Sequence, residues 1–327
     1  MTPTRIGFVG AGAVATRHVR TLAGFDDVQV VAVADPAVER AGRLADEVGA
    51  TAYERWRPML ERERLDALYV CIPPFAHGPP ELAAVEAGLP LFVEKPLAID
   101  AGTAESIAER IEGTGLLTCA GYHWRWLDVF ERARALLDGN PARLAQCHWL
   151  DKVPPPAWWV RRDGSGGQTI EQTTHVLDLA RALVGEVTDV HAAGSRAGSA
   201  RVPGDVDEVT VATLRFATGA VGTVSSTCLL GRLHRAGIHL YAEGLALELS
   251  ETELVVDDGG GSLVTYRARA DARPLPDRDF VDAVRGGPNR VRVPYAEALG
   301  THRLACAITR SAESGRTVEL PGERTRA

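Results

Sequence analysis

The sequence predicts an α/β protein of two domains, a parallel-sheet domain over residues 1–121 and an α/β domain with a large, mainly antiparallel open sheet over 122–327. Three observations predict it. From residue 4 to about 121, short apolar runs alternate with segments of helical period. The first of those runs passes through a glycine-rich turn into a helix. Beyond Tyr122 the hydrophobic period changes, and from about residue 206 it is mostly two. At 327 residues, 45% of them hydrophobic, the chain can build two cores without covalent staples.

In the first domain the strand cores fall at 5–9, 28–34, 67–72, 90–93 and 116–120. Their near-continuous apolar character suits strands covered on both faces. Between them, segments such as Pro80–Gly88 carry apolar residues at helical spacing and stop at glycine. The second domain reads as a helix at 126–138, a strand at 142–150, a Pro- and Trp-rich loop at 151–166 and a helix at 168–184. Val206–Phe216 then alternates with period two, Thr218-Gly219 makes a turn, and Ala220–Thr227 answers it. Further strands are expected at 236–243, 246–250, 253–257 and 263–267, and helices at 277–285 and from Pro294 to just before Gly315.

The glycine turn is Gly10-x-Gly12-x-x-Ala15. Gly10 permits the tight strand-to-helix turn, Gly12 lets a pyrophosphate approach the backbone, and small Ala15 lets helix and strand pack closely. With Ala13 and Val14 this loop offers backbone N–H groups at the positive end of a helix. Asp35 ends the second strand, 20 positions after Ala15, where a carboxylate can accept hydrogen bonds from an adenosine ribose; capping the helix that begins near Pro36 is compatible with that role. A Rossmann dinucleotide site follows. The charge of Asp35 would repel the 2′-phosphate of NADP, so NAD is the expected cofactor in preference to NADP.

Ligands of such sheets bind beyond the carboxyl ends of the strands. Three stretches lie there: Cys71-Ile-Pro-Pro-Phe-Ala-His77, Phe92-Val-Glu-Lys-Pro96 and Gly121-Tyr-His-Trp-Arg-Trp126. Lys95, next to rigid Pro96, can polarise an alcohol or ketone oxygen and pass a proton; the alternative is a surface lysine paired with Glu94. On the helix after Gly166-Gly167, Glu171, His175 and Asp178 fall within a sector of about 60°, opposite Ile170, Thr173, Leu177, Ala180 and Val184. A solvated face with Asp178 paired to Arg181 has the same pattern. Trp149, Trp158 and Trp159 precede that helix and suit either a wall for a polyol ring or a domain interface. Tyr122, Arg125, Trp159 and Arg162 are candidates for the substrate pocket, and Arg161 and Arg162 fit an acidic sugar or a neighbouring subunit equally.

A net charge of -7 and the absence of a basic cluster argue against nucleic acid. No apolar run approaches membrane-spanning length, and Met1-Thr-Pro-Thr passes directly into the first strand, so a cytoplasmic protein is expected. Five dispersed cysteines read as small buried hydrophobes, and no metal spacing occurs.

Together, the glycine turn with Asp35, Ile72-Pro73 with His77, Glu94-Lys95-Pro96 and the Gly-Gly…Glu171-x-x-x-His175-x-x-Asp178 helix resemble the glucose-fructose oxidoreductase / inositol dehydrogenase / MocA family. Ser311–Val318 resembles its closing segment, so the likeness spans the chain. The resemblance implies a Rossmann domain whose cofactor contacts include Ile72, Pro73, His77, Glu94 and Lys95. It also implies a second domain whose open sheet makes dimers or tetramers, and an active site in the cleft between the two. Lys95 and His175 would serve proton transfer while nicotinamide exchanges hydride with a sugar carbon. Glu171 stands where the family usually has Asp, Ala15 replaces the third glycine, and Pro74 stands where Asn is frequent. The expected activity is hydride transfer at a secondary alcohol or ketone of a sugar, cyclitol or related polyol. The alternatives are a glycosidase working by transient oxidation and elimination, and a sugar or dinucleotide sensor.

Overall fold

The computed structural model describes residues 2–269 and 271–320. The chain divides into two compact units, one of Met1–Ala98, Gly102–His123 and Ala272–Leu299, the other of Ile99–Ala101, Trp124–Asp271 and Gly300–Ala327. The units are therefore not continuous in sequence: Ala272–Leu299 returns to the first, and Ile99–Ala101 belongs to the second.

The first unit holds a six-stranded parallel sheet of β1 (Thr4–Val9), β2 (Val28–Ala34), β3 (Thr51–Tyr53), β4 (Ala67–Val70), β5 (Leu91–Val93) and β6 (Thr118–Ala120), in the order β3-β2-β1-β4-β5-β6. β3, three residues long, carries too little pattern to read from sequence. The strand order reverses between β1 and β4, which opens a crevice at their carboxyl ends, where the glycine turn and the Cys71–His77 loop lie. The core on one face is aromatic. Tyr69 stacks between Phe8 and Phe92 with ring centroids 4.8 and 4.5 Å away, and Phe280 meets Tyr69 and Phe92 edge-on. Phe280 belongs to the helix Leu275–Val284, and this apolar contact is why a late segment joins the first unit.

The second unit holds a nine-stranded sheet. Its strands are β7 (Leu144–Leu150), β8 (Val187–Ser195), β9 (Val209–Phe216), β10 (Val221–Thr227), β11 (Arg235–Ala242), β12 (Leu245–Leu249), β13 (Glu253–Asp257), β14 (Val264–Arg267) and β15 (Val318–Glu319), ordered β14-β13-β12-β11-β7-β10-β9-β8-β15. All pairs are antiparallel except β7 with β10. The hairpin at Thr218-Gly219 forms as expected, Gly219 taking a positive φ of 86°. Sequence reading did not find β8, whose register shifts between Val187 and Asp189, nor two-residue β15. Along β9, Thr210, Ala212, Leu214 and Phe216 are buried while Val211, Thr213 and Arg215 are exposed, so one face of the sheet is covered and the other open. The helix Thr174–Val184 lies on the covered face, close enough for the Cys147 thiol to reach the Val176 carbonyl.

Candidate active site

The glycine turn has the geometry its sequence requires. Gly10 has φ of 103°, and a Cβ there would lie 2.1 Å from the Cys71 carbonyl oxygen, so no other residue fits without moving β4. A Cβ on Gly12 would meet nothing within 4 Å, which leaves that stretch of backbone open to a ligand. The helix Ala13–Ala23 starts there with no side-chain cap, Val14 exposed and Ala15 buried. Asp35 is 7% exposed. One of its oxygens accepts from the Ala11 N–H at 2.8 Å and the other from the Ala37 N–H, which fixes the acid against the glycine turn as well as at the start of the next helix. Each carboxylate oxygen has two lone pairs, so acceptor capacity remains. Open backbone N–H groups beside a fixed acceptor fit a dinucleotide. The guanidinium of Arg40 stands 3.2 Å from Asp35.

His77 and Glu94, expected to contact a cofactor, each have partners within the first unit. Both ring nitrogens of His77 face acceptors inside their own loop, Glu81 at 2.5 Å and the Ile72 carbonyl at 3.2 Å, and Glu81 also accepts from the Gly78 N–H. His77 therefore locks the Ile72-Pro73 loop, and the Ile72 side chain packs toward Gly10. Glu94 is buried, and its carboxylate lies against His18, Arg17 and the Lys95 N–H. Lys95 is half-buried at the end of β5, and the Lys95–Pro96 peptide is cis. Tyr122 is fully buried just past β6.

In the second unit the helix carrying His175 begins with a π-helical turn, Thr169–Thr173, before regular α-helix from Thr174. The wider turn breaks the uniform 100° spacing on which one shared ionisable face was expected. Partners can be named for each of the three side chains. Glu171 accepts the indole N–H of fully buried Trp159 at 2.7 Å. Asp178 pairs with Arg125 through two bonds of 2.6 and 2.9 Å and accepts from Thr301. Arg181 turns instead to Glu186 and Thr301. His175, 7% exposed, stacks against Trp124 and Trp149 with ring centroids 6.0 and 5.6 Å away. Of the residues expected to meet substrate, Arg125 is thus committed to Asp178. Trp159 is packed among Val202, Val206 and Cys228. The guanidinium of Arg162 lies on Glu313 and Asp207.

Sequence reading missed His18 and Asp277. His18 had a signal, because it sits on the buried stripe Ala15, Val19, Leu22 of its helix, where a polar group requires partners. Asp277, 259 positions away, had none. Among the described residues no cluster of three or more His, Cys, Asp or Glu could hold a metal ion, and no helix is long and apolar enough to cross a membrane. Four of the five cysteines are buried, and burial pushes the thiols of Cys147 and Cys228 up to about 12 and 11.

A doubly wound parallel sheet with an open glycine turn, followed by an α/β unit with one bare sheet face, defines a two-unit NAD-binding oxidoreductase. Residues 4–122 match the oxidoreductase family with an NAD-binding Rossmann fold and residues 130–244 match the GFO/IDH/MocA C-terminal domain; the chain belongs to this family. It is 30% identical to the rhizopine catabolism protein MocA of Rhizobium meliloti, over 94% of this chain and 95% of that one. It is 27% identical to the scyllo-inositol 2-dehydrogenase (NAD(+)) of Bacillus subtilis (strain 168), over 98% and 97%. The fold matches a levoglucosan dehydrogenase in complex with NADH and levoglucosan with a TM-score of 0.88 at 20% identity, covering 98% of this chain and all of that one.

Proposed function

We propose that the protein transfers hydride between NAD and a secondary alcohol or ketone of a sugar, cyclitol or related polyol, with Lys95 and His175 as its proton-transfer groups. The observation that carries this reading is Lys95 itself. Among 36 basic side chains only Lys95 and Lys152 are lysines. A guanidinium stays protonated at any working pH, whereas an ammonium can give up and retake a proton. The chain places one of its two lysines at the end of β5, where its backbone N–H is bonded to the buried Glu94 carboxylate.

Gly10, Gly12, Ala13, Val14 and Ala15 would hold the pyrophosphate on backbone N–H groups, and Asp35 the adenosine ribose, which favours NAD over NADP. When bound, the cofactor supplies the hydride acceptor for alcohol oxidation and the donor for ketone reduction. The chain's part is the proton. In oxidation Lys95 or His175 takes it from the hydroxyl as the alcohol carbon is oxidised, and in reduction returns it to the forming alkoxide. Glu171, tied to the Trp159 indole, orients its neighbourhood or accepts a substrate hydroxyl. His77 and Glu94 act through the loops they lock. The first unit is the cofactor domain, and the second serves substrate binding and homo-oligomer formation through its open sheet, in a cytoplasmic enzyme. Names of relatives support the substrate class: besides the inositol dehydrogenase, the chain is 26% identical to a D-glucoside 3-dehydrogenase of Escherichia coli (strain K12) over 98% of both chains.

The test is a panel of polyols, sugars and ketosugars with NAD and NADP, followed by the absorbance of reduced nicotinamide in both directions. Lys95→Ala and His175→Ala are each expected to lower turnover by about 10²–10⁴-fold with NADH affinity nearly unchanged. A fully active double variant would overturn the assignment. Sugar release without net cofactor reduction would point to elimination, and cofactor binding with no turnover of any kind to a sensor.

A further inference from the structure

We infer that His18 and Asp277 are positioning residues for Lys95, acting through the Glu94 carboxylate that precedes it; the inference rests on the reading of Lys95 as a proton-transfer group. His18, 2% exposed, is bridged between two acids, its Nδ1 2.7 Å from Asp277 and its Nε2 2.9 Å from Glu94. An ionised carboxylate only accepts hydrogen bonds, so both ring nitrogens donate and the ring carries a positive charge. The second oxygen of Glu94 accepts the Lys95 N–H at 3.1 Å, and Arg17 stands 3.4 Å from the first. A Cβ on Gly121 would come within 2.5 Å of the same carboxylate, so the group is walled in on that side too. Glu94 therefore has one available position, and the Lys95 backbone is fixed to it.

The same chain of charges acts on the lysine electrostatically. Burial alone would lower the pKa of His18, but the charge and hydrogen bond of Asp277, then those of Glu94, push it up to about 9. Burial works to raise Glu94, yet His18, then Arg17 and Lys95, hold it below the usual carboxylate range. Glu94 and Lys95 thus interact through charge as well as through the backbone N–H. Of the other groups packed here, Tyr69, Cys71 and Cys119 stay neutral, since burial first of all raises them well above their ordinary values, and Asp279 also lies within electrostatic reach of Cys119. The triad of Asp277, His18 and Glu94 thus presents a single net negative charge to Lys95.

Lys95 and Lys152 are the only lysines, so reductive 13C-methylation gives two side-chain NMR signals, assigned by Lys95→Ala, with Lys152 as internal control. His18→Gln leaves two negative charges, Asp277→Asn leaves none, and the double variant restores one while its two amides can bond to each other. The Lys95 titration midpoint is expected to move up by about half a unit or more in His18→Gln, down by a similar amount in Asp277→Asn, and back toward wild type in the double variant. The Lys152 midpoint should not move. Coincident Lys95 midpoints in all four proteins, each shown to be folded by NADH binding, would overturn the inference. Should His18→Gln not fold, Asp277→Asn against wild type decides it alone. Full turnover by Lys95→Ala would instead remove the proton-transfer reading and leave the titration result standing, so the two failures are distinguishable.

Discussion

The chain holds two buried histidines in opposite ways. His18 lies between two carboxylates, with both ring nitrogens within hydrogen-bond distance of them. His175 is packed by the faces of two indoles, tilted only 15° and 22° from its ring. A carboxylate pair fixes a charge, because deprotonating the ring would leave two buried acids facing it. Indole faces hold a ring in place by stacking. The first arrangement suits a group that sets a local field, the second a ring that is held by packing.

Keeping charge while removing titration gives the largest expected effect on the ionic side. Lys95→Arg retains a cation beside Glu94, so NADH affinity should stay within about twofold of wild type, yet kcat should fall by about 10²–10⁴-fold because the guanidinium cannot pass a proton at neutral pH. Steady-state kinetics with the best substrate of the panel checks this, and near-normal kcat would mean that Lys95 serves only as a fixed charge.

The ionic histidine should also be visible in stability against pH. Its folded value of about 9 lies above the ordinary 6.5, so the folded state holds a proton that the unfolded chain releases between those values. The stabilisation is therefore fully present below about pH 6.5 and is lost as pH rises through 9, a change of about 3 kcal/mol. Urea unfolding at pH 6, 7.5 and 9 should show this decline in wild type and a flatter profile in His18→Gln. An unchanged slope in the variant would place the pH dependence elsewhere.

Trp149→Leu tests the aromatic side with a smaller effect. Removing one of the two stacked faces should reduce kcat/KM by about tenfold, the worth of an aromatic pair, while leaving the slope of stability against pH as it is in wild type. A variant that altered the slope and spared turnover would reverse the roles assigned to the two histidines.

The parts of these sites that were legible in the sequence are the parts fixed by local backbone. The glycine turn, Asp35 and Glu94-Lys95-Pro96 follow from strand ends and from residues only glycine can replace, and the alternating strands follow from one covered sheet face. What sequence did not carry depends on partners far along the chain. Asp277 reaches His18 across 259 positions, and Arg125 claims Asp178 across 53. The contacts of Glu171, His175 and Asp178 were hard to read for a local reason as well, because a π-helical turn between Thr169 and Thr173 has no reliable signature in side-chain spacing. Arg162 was read as a substrate ligand from charge alone, and charge does not say which of Glu313, Asp207 or a ligand it meets.

The smallest effect concerns the choice of nicotinamide cofactor, where the first unit again sets a charge against a neighbour. Asp35 repels a 2′-phosphate, but Arg40, whose side chain is half exposed, stands 3.2 Å away and offsets part of that charge. Solvent screens such a pair, and exposed ion pairs are worth about 0–1 kcal/mol. Arg40→Ala should therefore raise the ratio of kcat/KM for NAD to that for NADP by only a few fold, through weaker use of NADP, with NAD kinetics unchanged. Asp35→Ser should lower the same ratio by more, because it removes both the repulsion and the anchored ribose acceptor. Measuring both ratios at low and at physiological salt sharpens the test, since the Arg40 effect should shrink as screening increases and the hydrogen-bonding part of the Asp35 effect should not.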